Sequence, residues 1–267
     1  MNAGGGPRRS ARGGAAISAG GGPAMKAGGG PAMSVGASPA MSVARDPALS
    51  ADGDRPMTGE RGAILFACEW ERTPPLQPDK RLQSLIEWRN RLARRDLIGV
   101  DRNGIGYGNL SVRTRSRPVQ FLISGTQTGH IEVLTGGHFS HVVDFDTRAN
   151  RVVCRGPVQA SSESLTHGTI YRERTDVWAV IHGHHSGMWW TFINRLPTTR
   201  PGIVAGTPEM ADEITRVIAY GSDGPYRSSG AIVLAGHQDG IIAFGPDLDA
   251  CGRRLLKLLD DLPDTAN

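Results

Sequence analysis

The sequence predicts one α/β or α+β domain over residues 59–267, preceded by a disordered tail over residues 1–58. Three observations carry this. Helical and strand patterns alternate in the second half of the chain. In the first half, strand-like segments are joined by connections too short for helical crossovers, which requires an antiparallel or mixed sheet. The first 58 residues contain no aromatic residue and are dominated by Gly, Ala, Ser, Pro and Met, too little apolar area to offset the entropy of ordering them.

Within the tail, "PAM" at Pro23, Pro31 and Pro39 and "PAL" at Pro47 form an eight-residue repeat, far shorter than the repeats of solenoids. Its glycines and prolines oppose an amphipathic presequence helix, and no apolar stretch follows Arg8 and Arg9, so a targeting role is not favoured. A translation start at Met41 or Met57 is the simpler reading.

The elements follow in order. Ala63–Cys68 is a short apolar run that predicts a strand. From Asp79 to Gly99, Leu82, Leu85, Ile86, Leu92 and Ala93 recur at helical spacing, with Asp79 as cap, Gly99 as stop and a basic outer face read as solvated surface. "IGYGNLSVRT" and "PVQFLISGTQTG" each combine a small-residue loop with a strand, and "HVVDFD" and "NRVVCRG" are strands joined by the turn "TRAN". Residues 161–176 predict a helix capped by Ser161 or Ser162, and "VWAVIHGHH" a strand ending in histidines. Thr207 as cap, Pro208 in first position and Glu209 in the first turn open a helix that ends at Gly221. "GAIVLAGHQDGIIAFG" is strand, turn and strand, and "DLDACGRRLLKLLDDL" closes the chain as a helix with a leucine face.

Composition excludes several functions. The tail holds six Lys/Arg and three Asp/Glu, so three of the four net positive charges lie there and the domain is about neutral. The basic isoelectric point therefore gives no case for nucleic acid. No run of 18 apolar residues exists to span a membrane. Cys68, Cys154 and Cys251 are isolated, as expected of reduced thiols in the cytoplasm, and form no thiolate metal site.

The stretch "AVIHGHHSG" (179–187) carries the chemistry. Residues two apart on a strand share a face, so His182 and His184 project together while His185 points away, as a polar neighbour or toward the core. Such a pair suits a metal or is satisfied by water and carbonyls. His237, in the glycine-rich turn "LAGHQDG", is a candidate third ligand, and three neutral imidazoles with an open position describe a catalytic site. Glu163, in the first turn of its helix, is either a dipole-stabilising charge or a functional acid. Ser161 and Ser162 beside that helix start make an anion site. Trp189 and Trp190, directly after the histidines, could line a hydrophobic pocket, but are read first as core or subunit-contact residues.

The order "GNLSVR", "FLISGTQTG", "SSESLTHGTIY", "VIHGHH", "GTPEMADEI", "LAGHQDG", over about residues 80 to 260, resembles the class II aldolase and adducin head domain family. The resemblance implies a three-layer α/β/α domain with a mixed, largely antiparallel central sheet. It further implies that His182, His184 and His237 bind a divalent metal, zinc before iron or manganese, and that Glu163 transfers protons. Asn109, Ser161 and Ser162, with Gly125, Thr128 and Gly129 of the "SGTQTG" turn, are implied to hold a substrate phosphate. A homotetramer, a cytoplasmic location and a role in carbohydrate metabolism are implied as well. The sequence departs from the aldolase pattern in the short, tyrosine-free segment 193–210, and in Gly106 or Tyr107 where a threonine is expected.

The expected activity is that of a metal-dependent lyase acting through an enediolate on a small hydroxy-carbonyl compound, a sugar phosphate. The alternatives are a non-haem iron oxygenase on the same fold and a non-catalytic binding module like the adducin head.

Overall fold

The structure, a computed structural model, describes residues 65–220 and 230–263. The tail expected to be disordered lies outside the described residues, as does Gly221. In chain order the elements are β1 (Ala67–Arg72), α1 (Lys80–Ala93), β2 (Gly99–Val100), β3 (Gly106–Tyr107), β4 (Asn109–Ser116), β5 (Val119–Ser124), β6 (Phe139–Asp146) and β7 (Arg151–Gly156). Then come α2 (Ser164–Glu173), β8 (Ala179–His184), α3 (Ser186–Phe192), α4 (Pro208–Tyr220), β9 (Gly230–Val233), β10 (Gly240–Gly245) and α5 (Leu248–Asp260).

The main sheet runs β1-β7-β6-β5-β4-β8-β10-β9, and β2 and β3 form a separate ladder. Only the β1–β7 pair of the main sheet is parallel, so the sheet is mixed and largely antiparallel, as expected. Alternation along the strands divides the core in two. Ala179 and Ile181 of β8 pack with Leu85 and Leu92 of α1 and Leu255 and Leu258 of α5. Val180 points the other way, onto Leu165 and Ile170 of α2 and Met210 and Ile214 of α4. Helices therefore cover both faces, giving three layers. Leu85, Leu165 and Leu255 are fully buried, and each such side chain contributes about 1.5–3 kcal/mol of transfer free energy.

Five local expectations change. The first strand, expected at Ala63–Cys68, is found at Ala67–Arg72, and Ala63 and Ile64 lie outside the described residues. As an edge strand it turns one face to solvent, so Glu69 and Glu71 remain in it and meet Arg151 and Arg155 of β7 at 3.4 and 2.7 Å. Helix α1 is capped by Asp79, which accepts from Leu82 N at 2.8 Å, but it ends before Gly99. Asp96 takes φ 55°, and the Leu97 N–H returns to Leu92 O at 3.0 Å, a left-handed closure that leaves Leu97 buried. The outer face of α1 is not wholly solvated either, because Arg89 is buried.

Helix α2 starts at Ser164, with Glu163 at the cap position instead of in the first turn and no side-chain cap. Ser164 N returns to Ser161 O at 3.0 Å in a preceding turn, so neither Ser161 nor Ser162 caps the helix, and the Ser161 hydroxyl instead accepts from Glu163 N at 3.2 Å. Helix α3 was not expected. His185 caps it, its Nδ1 accepting from Met188 N at 3.2 Å.

Candidate active site

The site is built where β8, the β9–β10 turn, the start of α2 and the loop before β4 meet. His182 and His184 lie on the α2 side of β8, following Val180 in the alternation. Asn109, the first residue of β4, stands opposite His182, while β10 places Gly240 opposite His184. His237 is delivered by a tight turn in which Leu234 N reaches Gly240 O at 3.0 Å and His237 N reaches Leu234 O at 3.1 Å. A side chain at Gly240 would put its Cβ 2.7 Å from the His237 ring and 3.1 Å from His182 Nε2, so glycine there makes room for both imidazoles.

The three histidines each offer a nitrogen, and these nitrogens lie within 4.8 Å of one another. His184 Nε2 and His237 Nε2 are 3.0 Å apart. Nitrogens sharing a tetrahedral zinc at about 2.0–2.1 Å would stand roughly 3.3 Å apart, so this spacing needs little adjustment. Both ring nitrogens of buried His182 lack a hydrogen-bond partner among the described residues. Burial first, then His184 and His237, pushes the His182 imidazole well below its ordinary pKa, which keeps it neutral with a lone pair available. Buried His182 nitrogens without a partner among the described residues, facing the imidazoles of His184 and His237, fit a divalent cation and would otherwise be a costly arrangement.

Glu163 Oε1 is 3.9 Å from His237 Nε2, and its Oε2 is buried without a partner among the described residues. Burial raises its carboxyl from the ordinary 4.5 to about 7. The group is therefore poised to hold or release a proton near neutrality. Behind it, buried Ser111 of β4 shares bonds of 2.7 Å with His167 Nδ1 and with the Tyr171 hydroxyl, tying α2 to the sheet.

A cleft of about 570 Å³, measured with its open mouth, joins these groups. Its lining includes Glu163, His182, His184 and His237 together with Asn109, Gly125, Thr128, Gly129, Ser161 and Ser162, so the structure brings together every site residue singled out in the sequence. Sequence reasoning did not single out Gln127, Thr126, Asp101 or Ile105 of the same lining. Gln127 adopts φ 56°, and its Oε1 accepts from Gly106 N at 3.3 Å. Tyr107, noted only as a departure from the aldolase pattern, stands 5.3 Å from the His184 ring, centroid to centroid. Its position in "GYGN", two residues before Asn109, was the available signal. Trp189 is buried, its indole donating to Leu234 O at 2.9 Å, and Trp190 is exposed; neither lines the cleft.

The profile of the family described as "Class II Aldolase and Adducin N-terminal domain" matches residues 85–259, about two thirds of the chain. The chain belongs to that family. Among solved structures, this family member is similar to an L-fuculose 1-phosphate aldolase, with 22% identity, a TM-score of 0.51, and coverage of 70% of this chain and 85% of that one. A sugar-phosphate aldolase from Thermotoga maritima matches at 16% identity and a TM-score of 0.49, covering 68% and 91% of the two chains. An aldolase II superfamily protein from Pseudomonas syringae matches at 17% identity and 0.48, covering 69% and 74%. At such identities the first of these supports the fold alone. Comparison with curated protein sequences gives no match. Among the described residues no helix is long and apolar enough to cross a membrane.

Proposed function

We propose that this protein is an aldolase-like lyase that makes or breaks a carbon–carbon bond beside a carbonyl in a small phosphorylated hydroxy-carbonyl compound. The observation that carries the reading is the meeting, in one cleft, of three imidazoles whose ligand nitrogens lie within 4.8 Å of one another and a buried carboxyl raised to about 7. His182, His184 and His237 would hold a divalent metal, zinc by preference for a three-imidazole set that leaves a position open, with iron or manganese also compatible. When bound, the metal supplies Lewis acidity toward the carbonyl and hydroxyl oxygens of the substrate.

The chain's own residues do the rest. Glu163 takes up or returns the proton at the reacting carbon, its carboxyl raised by burial and lowered again by a cation beside it. Asn109 lines the same cleft with its Oδ1 buried and without a partner among the described residues, which assigns it to the polar end of the substrate. Ser161, Ser162, Thr128 and the backbone of Gly125 and Gly129 offer neutral donors to a phosphate. Ile105 and Tyr107 are the large apolar residues, among those described, in a lining otherwise made of polar side chains and glycines, which favours a phosphorylated substrate over an aromatic one. By the family resemblance, the protein acts in carbohydrate metabolism as a cytoplasmic homotetramer.

The test is a panel of phosphorylated and unphosphorylated hydroxy-ketones and aldols, assayed for aldehyde release by metal-supplemented wild type and His237→Ala. Turnover confined to phosphorylated compounds, and lost with metal content in His237→Ala, supports the reading. Full metal content in a folded His237→Ala protein would refute the site. Oxygen uptake without aldehyde release would move the protein to the oxygenase class.

A further inference from the structure

Arg89 of α1 is 4% exposed, yet among the described residues it makes no ion pair. Its guanidinium meets neutral oxygens, mostly of the backbone: Nη2 donates to Gly129 O at 2.9 Å and to Thr128 O at 3.3 Å, and Nη1 reaches Glu132 O and Asn90 Oδ1 at 3.5 Å each. A buried cation whose partners among the described residues are all neutral oxygens is costly unless something nearby uses its charge. What lies nearby is the turn 125–129, whose opposite side lines the cleft.

Two consequences follow from the geometry. In a trans peptide the C=O and the following N–H point in opposite directions, so drawing Thr128 O toward Arg89 sends Gly129 N–H the other way. That N–H has no acceptor among the described residues, and its nitrogen lies beside Gly106, which also lines the cleft. Among the described residues the cleft lining contains Asp101 and Glu163 but no Lys or Arg, so an anion entering it meets acidic groups and, among those residues, no cation in direct contact.

We propose that Arg89 is a positioning residue: from behind the turn it holds the Thr128 and Gly129 carbonyls away from the cleft, aims the Gly129 N–H into it, and supplies the positive charge that an anionic substrate group requires. The anion part of this inference rests on the proposed phosphorylated substrate, whereas the ordering of the turn does not.

Two measurements on the full-length protein separate these parts. Amide exchange across residues 125–132 is compared in wild type, Arg89→Met and Arg89→Lys. Inorganic phosphate is titrated calorimetrically into metal-loaded and metal-stripped forms of each, so that binding to the metal is distinguished from binding to the turn. Exchange in the turn should accelerate about tenfold or more in Arg89→Met, with α5 and β8 unchanged. Phosphate affinity in the metal-stripped form should fall roughly tenfold or more in Arg89→Met. Arg89→Lys, which keeps the charge but not the fork, should lose less affinity while still accelerating exchange. Unchanged exchange in Arg89→Lys, together with phosphate affinity within twofold of wild type, would overturn the inference, and this variant decides the matter if Arg89→Met does not fold. If metal-stripped wild type binds no phosphate, the phosphorylated-substrate reading and the charge role fail, and the exchange comparison alone decides the positioning role.

Discussion

Replacing Glu163 by Gln in the metal-free protein should remove a specific pH dependence of stability. Burial holds the Glu163 carboxyl at about 7 in the folded state against 4.5 ordinarily. The folded protein therefore binds this proton more tightly than the unfolded chain does, and the contribution to stability is fully present below about 4.5 and lost as pH rises through 7. Each pH unit within that window is worth about 1.4 kcal/mol, so between pH 5 and pH 7.5 wild type should lose roughly 2 kcal/mol relative to Glu163→Gln. The neutral His182, held low, changes stability in the opposite sense, but it does so in both proteins and drops out of the difference. Urea denaturation of the two metal-stripped proteins at pH 5, 6, 7 and 7.5 measures it. A difference that stays flat or grows with pH would refute the argument, because it would mean the carboxyl is already ionised in the folded cleft. Adding divalent metal should abolish the decline, since a cation beside Glu163 favours the carboxylate.

Two further substitutions probe the scaffold behind the site. Ser111→Ala strands the buried His167 Nδ1 and Tyr171 hydroxyl, each now bonded at 2.7 Å, and should cost about 1–3 kcal/mol in urea denaturation; an unchanged midpoint would mean that water replaces the hydroxyl. Gly129→Ala would place a Cβ 2.0 Å from Gly99 O, and the forced shift of the turn away from β2 should lower stability by roughly 1–3 kcal/mol, with an unchanged unfolding midpoint counting against the packing described.

What the sequence made legible, and what it did not, divides along physical lines. His182 and His184 could be paired because strand alternation is strict, and Asp79 and Thr207 could be placed as caps because a side-chain oxygen before a helical pattern has one natural use; Thr207 Oγ1 does accept from Met210 N at 3.3 Å. The family order brought Asn109 and the "SGTQTG" turn to the same cleft, which spacing alone could not do, since they lie on different elements. Where expectation failed, a tertiary contact had overruled a local signal. Charges at Glu69 and Glu71 read as the end of a strand but belong to a solvated edge. Arg89 read as one more surface cation because its carbonyl partners lie some forty positions away. Ser161 read as a cap until the extra turn before α2 gave its hydroxyl to Glu163 N–H. Helix α3 has only seven residues, too few for a periodic pattern to declare itself.

The central claim is that His182, His184 and His237 together hold one divalent metal. X-ray absorption spectroscopy of the zinc- or cobalt-loaded protein tests it most directly. The account predicts one metal per chain, with about three imidazole nitrogens at roughly 2.0–2.1 Å, no sulfur scatterer, and loss of one imidazole in His237→Ala. A spectrum with sulfur ligands, or one that His237→Ala leaves unchanged, would contradict it.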